Sequence, residues 1–252
     1  MKTKLYVLPG SHPCEAVIGA AKFKGIEFQR VDIPPAQHKI QLRLMGFGGD
    51  TVPAAKLGDE KIMGSRKIMR AFESFKPEPT LFPKDPDARA AVEEAERWGD
   101  GEFQDVGRRL LWGHFKRDSS SLMSFSEGAN LPLPDWIARL ASRPVVRISA
   151  IYNKATDANI QNDLRTLPVL LDKIDKLVDE GVIGNESPNV ADFQILSSLA
   201  LWMTLEDVRP AVEARKSGQL ALKLFPNYPG HVPGGILPAE WLAPLRESAT
   251  AA

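Results

Sequence analysis

Four consecutive residues, Ser11-His12-Pro13-Cys14, carry the chain's only cysteine at a point where an apolar run gives way to a helix start. Nucleophilic sulfur chemistry runs through the thiolate, so Cys14 reads either as a reactive thiol or as inert packing. Val17, Ile18 and Ala21 follow it at i+3, i+4 and i+7, an apolar helical stripe that turns Cys14 toward a core. One cysteine permits neither an internal disulfide nor a two-thiol redox cycle within the chain. Ser65-Arg66 is a second candidate. It stands at a predicted helix start, where free amides and the positive dipole end suit either an anion or simple N-capping. Metal chemistry is not expected, because the four histidines show no HExxH or paired spacing.

These residues must be held by elements that the sequence also outlines. Residues 4–8 are β-prone and end at Pro9-Gly10; a helix with proline in its first turn runs from about His12 to Lys24, and Gly25 stops it. Residues 26–33 predict a second strand and about 36–45 a basic helix. Residues 52–57 and 61–63 flank the Gly58-Asp59-Glu60 turn as a hairpin, and a third helix spans 66–75. That order is thioredoxin-like. Pro77, Pro79, Pro83 and Pro86 then make a stiff connector suited to a domain boundary. Beyond it the pattern is helical: one helix over 87–115, others over 160–179, 189–203 and 205–216. Residues 116–135 read as an exposed Ser-rich loop. Seven of the thirteen residues from Pro226 to Pro238 are Pro or Gly, which predicts an extended tail wrapping the surface.

Charge narrows the partners. Lys plus Arg (32) equals Asp plus Glu (32), so no global basic field exists to hold a nucleic acid. The apolar run Leu5–Leu8 is too short for a secretory signal, and no stretch is long enough to span a bilayer; a cytoplasmic protein with no membrane partner is expected.

Four motifs in order, Ser11-His12-Pro13-Cys14, Thr51-Val52-Pro53-Ala54, Gly64-Ser65-Arg66-Lys67-Ile68-Met69 and Asn189-Val190-Ala191-Asp192, make the chain resemble the cytosolic glutathione S-transferase superfamily over residues 4–224. The resemblance implies an α/β thioredoxin-like domain (1–77) binding glutathione, then an all-α helical bundle domain (86–252) with the extended tail 226–252. It implies a cis Val52-Pro53 whose neighbouring backbone pairs the cysteinyl part of glutathione, with Ser65 anchoring the γ-glutamyl carboxylate. Arg66 would assist there or meet an acid of a partner subunit. Ser11 becomes the catalytic residue. A thiol with a pKa near 8.5 is only about 3 % ionised at neutral pH, and two units of depression raise this to about 75 %, roughly 2.7 kcal/mol of stabilisation.

The chain also departs from the family pattern. Gly64 stands where most relatives have an acid for the glutamyl ammonium, and Asp50 stands near where a cation would meet the glycyl carboxylate; Lys39, His38 or Lys56 would have to substitute. His12 reads as a polar wall residue or a proton-transfer group. His12, Arg108 and Trp112 are the second-substrate candidates, although Arg108 and Trp112 also fit a solvated helix end. The resemblance implies glutathione as co-substrate with no metal or nucleotide, a small electrophile, and a homodimer across the third helix and the long helix. Two other functions stay open: a binding or scaffold protein that has lost glutathione use, and a glutathione-dependent isomerase or dehalogenase. Asn189 and Asp192 have capping-box spacing, a folding role.

Overall fold

The computed structural model of the protein describes residues 3–35, 37–131 and 135–246. The expected ends of the first domain (1–2) and of the tail (247–252), together with Ala36 and positions 132–134 of the expected loop, lie outside the described residues.

Four strands, β1 (Thr3–Val7), β2 (Phe28–Asp32), β3 (Ala54–Leu57) and β4 (Glu60–Met63), form one mixed sheet in the order β2-β1-β3-β4. β1 runs parallel to β2 and antiparallel to β3. A parallel pair needs a long crossover, here α1 (His12–Phe23); the antiparallel β3–β4 pair needs only a hairpin, closed by Gly58 at φ 59°. α2 (His38–Leu44) and α3 (Ser65–Phe75) complete the thioredoxin-like unit. Alternation along β1 sends Val7 into the main core and Tyr6 to the opposite face, where its ring meets Phe47 edge-on at 5.3 Å.

The connector between α3 and α4 (Pro86–Trp98) is fastened from below. Lys24 is fully buried, and its Nζ donates to Glu73 Oε2 at 2.7 Å and to the Pro79 carbonyl at 2.7 Å. A stiff proline segment with few donors of its own thus supplies the acceptors for a buried ammonium.

After residue 86 every described regular element is a helix, save one isolated bridge. The long helix expected over 87–115 continues helically from Pro86 to Arg117, but Gly99–Phe103 widens into a π turn between α4 and α5 (Gln104–Arg117). The glycine there is required by packing: a Cβ on Gly99 would lie 2.8 Å from Ile195 of α8 (Val190–Trp202). All thirteen residues of α8 are buried, against α1 on one side and the long helix on the other. Its start is the capping box expected at Asn189 and Asp192, with both reciprocal bonds present.

Several expectations need correction. Residues 205–216 are not one helix but a turn followed by α9 (Arg209–Glu213) and α10 (Lys216–Leu224). The tail takes the backbone groups a helix would use there: Glu206 N–H donates to the Val232 carbonyl, and Asp207 accepts from the amides of Gly235, Ile236 and Leu237. The segment after residue 117 is not an exposed loop throughout; Ser119–Ser126 forms a 3-10 turn with Phe125 3 % exposed. Finally, α6 (Asp135–Tyr152) had no counterpart in the sequence reading; it leads into α7 (Asp157–Asp179). The tail expected to be extended over 226–252 is so as far as Pro238, but Ala239–Leu242 forms a 3-10 turn that continues helically to Arg246 and buries Leu242 and Leu245.

Candidate functional site

Strand directions bring three of the expected motifs to one edge of the sheet. Ser11 follows the C-terminal end of β1; Tyr6 pairs with Ala54, so Val52-Pro53 lies at that same end; Ala54 pairs with Met63, so Gly64-Ser65 does too. The Gly64 amide donates to the Pro53 carbonyl at 2.9 Å, locking the last two together. Val52-Pro53 is cis, and Val52 stands just outside the β ladder. The N-termini of α1 and α3 both open onto this edge, so two positive dipole ends converge where an anionic ligand would sit.

Ser11 is the N-cap residue of α1, yet its hydroxyl makes no capping bond. The hydroxyl stands close enough to the Cys14 thiol to oppose part of the rise that burial imposes on its pKa. Cys14 is fully buried, its sulfur accepts the Leu8 amide at 3.5 Å, and burial pushes its pKa to about 12. Cys14 is therefore a protonated packing group, and Ser11 carries the hydroxyl at the mouth of the helix.

Ser65 is 3 % exposed, and its hydroxyl donates to Asp100 Oδ1 at 3.2 Å. Gln194 Nε2 reaches the same oxygen at 3.4 Å. Asp100 thus sits beside the α3 N-terminus, projected by the π turn between Gly99 and Gly101. Arg66 is turned to Glu96 Oε2 in its own chain at 3.1 Å, next to the two-pronged Arg70–Glu96 pair at 2.8 Å. Glu96 is fully buried, so its carboxylate depends on two guanidiniums that each stay partly in water.

The other expected site residues are more scattered. His12 is 3 % exposed with Nδ1 2.8 Å from Ser198 Oγ; burial, then the Arg108 charge, hold its pKa well below the ordinary imidazole value. It faces Gly107 of α5, where a Cβ would lie 3.2 Å from its Cε1 and 3.1 Å from Trp202 Nε1. Arg108 is held by Gln104 and Asp105, while Trp112 packs edge-on against Phe115 at 5.5 Å. So His12 and Arg108 are neighbours at the domain junction, and Trp112 joins the helical core. Lys39 points away from the edge, with Nζ 4.5 Å from the Tyr152 ring centre; Lys56 pairs with Asp59, and Arg43 occupies Asp50.

Sequence reasoning missed the supports of this edge. Phe125 lies against Gly10, where a Cβ would be 2.5 Å from its ring, and Gly230 of the tail approaches the same ring equally closely. Gly10 has φ 69° and Gly230 φ 103°, so both positions need glycine twice over. Tyr228 donates its hydroxyl to the Gly10 carbonyl at 3.0 Å. Asp100 had one legible signal, a glycine on each side inside an otherwise regular helix.

Residues 5–80 match the family of glutathione S-transferase N-terminal domains. The fold is similar over 88 % of the chain to beta-etherase LigF from Sphingobium sp. strain SYK-6 (99 % of that chain, 18 % identity, TM-score 0.58). It is also similar over its full length to poplar glutathione transferase F1 (100 % of that chain, 15 % identity, TM-score 0.60). A glutathione S-transferase from Sinorhizobium meliloti 1021 matches 97 % of the chain and is itself covered to 99 % (16 % identity, TM-score 0.56). Among the described residues no cluster of metal-ligating side chains occurs, and no helix is long and apolar enough to cross a membrane.

Proposed function

We propose that the chain, whose residues 5–80 match the glutathione S-transferase N-terminal domain family, is a serine-type glutathione transferase that ionises a bound thiol for attack on a small electrophile. The observation that carries this reading is the convergence of Ser11, Val52-Pro53 and Ser65 at one sheet edge under two helix N-termini. Glutathione would lie along that edge, its cysteinyl backbone on Val52 and its γ-glutamyl carboxylate at Ser65. Asp100, beside Ser65, supplies the acid that Gly64 does not, and so holds the glutamyl ammonium. Arg66 keeps Glu96 as its partner and acts on the carboxylate only as nearby charge.

In the reaction, the Ser11 hydroxyl donates to the glutathione sulfur and favours the thiolate, and the thiol proton passes to solvent. The sulfur lone pair forms the new carbon–sulfur bond, and the electrophile's leaving group departs with its electron pair, or the pair moves onto an acceptor carbon in an addition. One charge-assisted hydrogen bond is worth about 1.5–3 kcal/mol, so with the α1 dipole it covers a two-unit pKa depression. The residue ranges 1–77 and 86–252 would divide thiol binding from electrophile binding, with His12 and Arg108 at their junction. A cytoplasmic homodimer across α3 and α4 completes the reading.

Calorimetric titration with glutathione, followed by ultraviolet titration of the bound thiol, tests it. Ser11→Ala is expected to raise the bound thiol's pKa and lower turnover about ten- to a hundredfold with little change in affinity. Asp100→Asn is expected to raise KM for glutathione more than it lowers kcat. A Ser11→Ala protein whose bound thiol titrates as in the wild type would refute the mechanism. Absence of any glutathione binding would select the scaffold reading, which Gly64 favours.

A further inference from the structure

Among the described residues, seven of the nine large hydrophobic side chains left exposed belong to α2 and α6. On α6 they are Trp136, Leu140, Ile148, Ile151 and Tyr152, each at least 63 % exposed and spaced as one helical stripe. On α2 they are Ile40 and Leu44, at 67 % and 83 %. The two helices adjoin, since Lys39 of α2 sits over the Tyr152 ring.

From Trp136 to Lys154 the charge beside this stripe has one sign. Arg139, Arg143, Arg147 and Lys154 are all exposed, and no described side chain neutralises them. No Asp or Glu occurs between Trp136 and Lys154, nor between Asp32 and Asp50. At the margins, Asp135 opens α6, Asp50 is paired with Arg43, and Asp157 with Lys116 and Arg117. A chain of zero formal net charge thus sets four cations with no acidic partner among the described side chains beside its largest group of exposed apolar residues.

We propose that the α2–α6 face docks on an anionic lipid surface. Cations flanking a stripe of Trp, Tyr and aliphatic residues, on a helix too short and too charged to span, are the features of a helix that lies in the bilayer interface. The exposed side chains of α6 and α2 stand in water, and a deformable lipid surface covers them without a preformed counterpart. A second copy paired through α6 would set Arg139, Arg143 and Arg147 against their own equivalents, a like-charge contact that opposes association. The proposal is independent of glutathione binding, because the thiol edge lies on other elements.

The test is co-sedimentation of the full chain with vesicles of phosphatidylcholine alone and of phosphatidylcholine mixed with phosphatidylglycerol. The protein is expected to pellet with the mixed vesicles only, to be released by high salt, and to show a blue-shifted emission that Trp136→Phe removes. The R139E/R143E/R147E variant is expected to lower partitioning at least about tenfold. L140S/I151S, which alters only exposed positions, should weaken binding while keeping the salt dependence. Equal pelleting with neutral vesicles, or wild-type partitioning by the charge-reversed variant, overturns the proposal. So does tight binding of soluble polyglutamate that displaces the protein from vesicles, which would assign an acidic polypeptide. A dimer that the charge-reversed variant alters would assign a second copy and overturn it equally.

Discussion

The α3–α4 seam and the α2–α6 face hold similar numbers of arginines and treat them in opposite ways. In the seam, Arg66 and Arg70 converge on a fully buried Glu96, and Ser65 is tied to Asp100. On the face, Arg139, Arg143 and Arg147 have no acid within reach among the described side chains, and the hydrophobics beside them stay in water. Burial forces compensation, because an unpaired charge under the long helix would cost several kcal/mol. Exposure removes that pressure, so charge on the face is available for a partner. An equal count of acids and bases over the whole chain conceals this division.

The largest test of the comparison is Glu96→Ala. Both guanidiniums keep about a third of their side-chain surface in water, so they relax partly into solvent and the loss should be about 2–3 kcal/mol, read by urea unfolding. The charge-reversed face variant is expected to change stability by no more than about 0.5 kcal/mol per site. If the two lose stability equally, the division between seam and face is wrong.

Proton linkage extends the contrast to two acids away from the face, whose shifts have opposite signs. Burial raises the Asp207 pKa, but His114 and the tail amides overcome it and bring the value from 3.8 to about 2. Its stabilisation is present above pH 4 and is lost as pH falls through the range between those values, about 1–2 kcal/mol after solvent screening. Burial raises Asp192 to about 6 despite bonds from the Asn189 and Gly184 amides. Its folded state binds the proton more tightly, so its term favours folding at low pH and declines as pH rises from about 4 to 6. Stability-against-pH curves of Asp207→Asn should lose the acid-side fall, and those of Asp192→Asn the opposing slope. Arg66→Ala should be the smallest seam effect, about 1 kcal/mol in thermal unfolding, because Arg70 retains both oxygens of Glu96.

The thioredoxin-like half was legible because each of its elements carries a local signal. Pro13 in the first turn, Gly25 after it, the Gly58 hairpin and the Gly64-Ser65 helix start all act within a few residues of themselves. The capping box at Asn189 was legible for the same reason. Elsewhere the signal was absent or overridden. Pro144 inside α6 and a one-sided cationic pattern hid a helix that is only half packed. The periodic apolar residues of 205–216 predicted a helix, but the tail claimed their backbone hydrogen bonds.

Sequence by itself determined the order of elements up to α3, the single buried thiol, the placement of Ser11, Val52-Pro53 and Ser65 on turns, and the absence of a global charge bias. Only the tertiary structure decided that Arg66 answers Glu96, that Asp100 stands at the α3 N-terminus, that Phe125 and Tyr228 brace the Gly10 turn, and that α2 and α6 share one cationic apolar face. Turn, cap and strand preferences are written in neighbouring residues, whereas which carboxylate meets which cation depends on packing between segments distant in the chain.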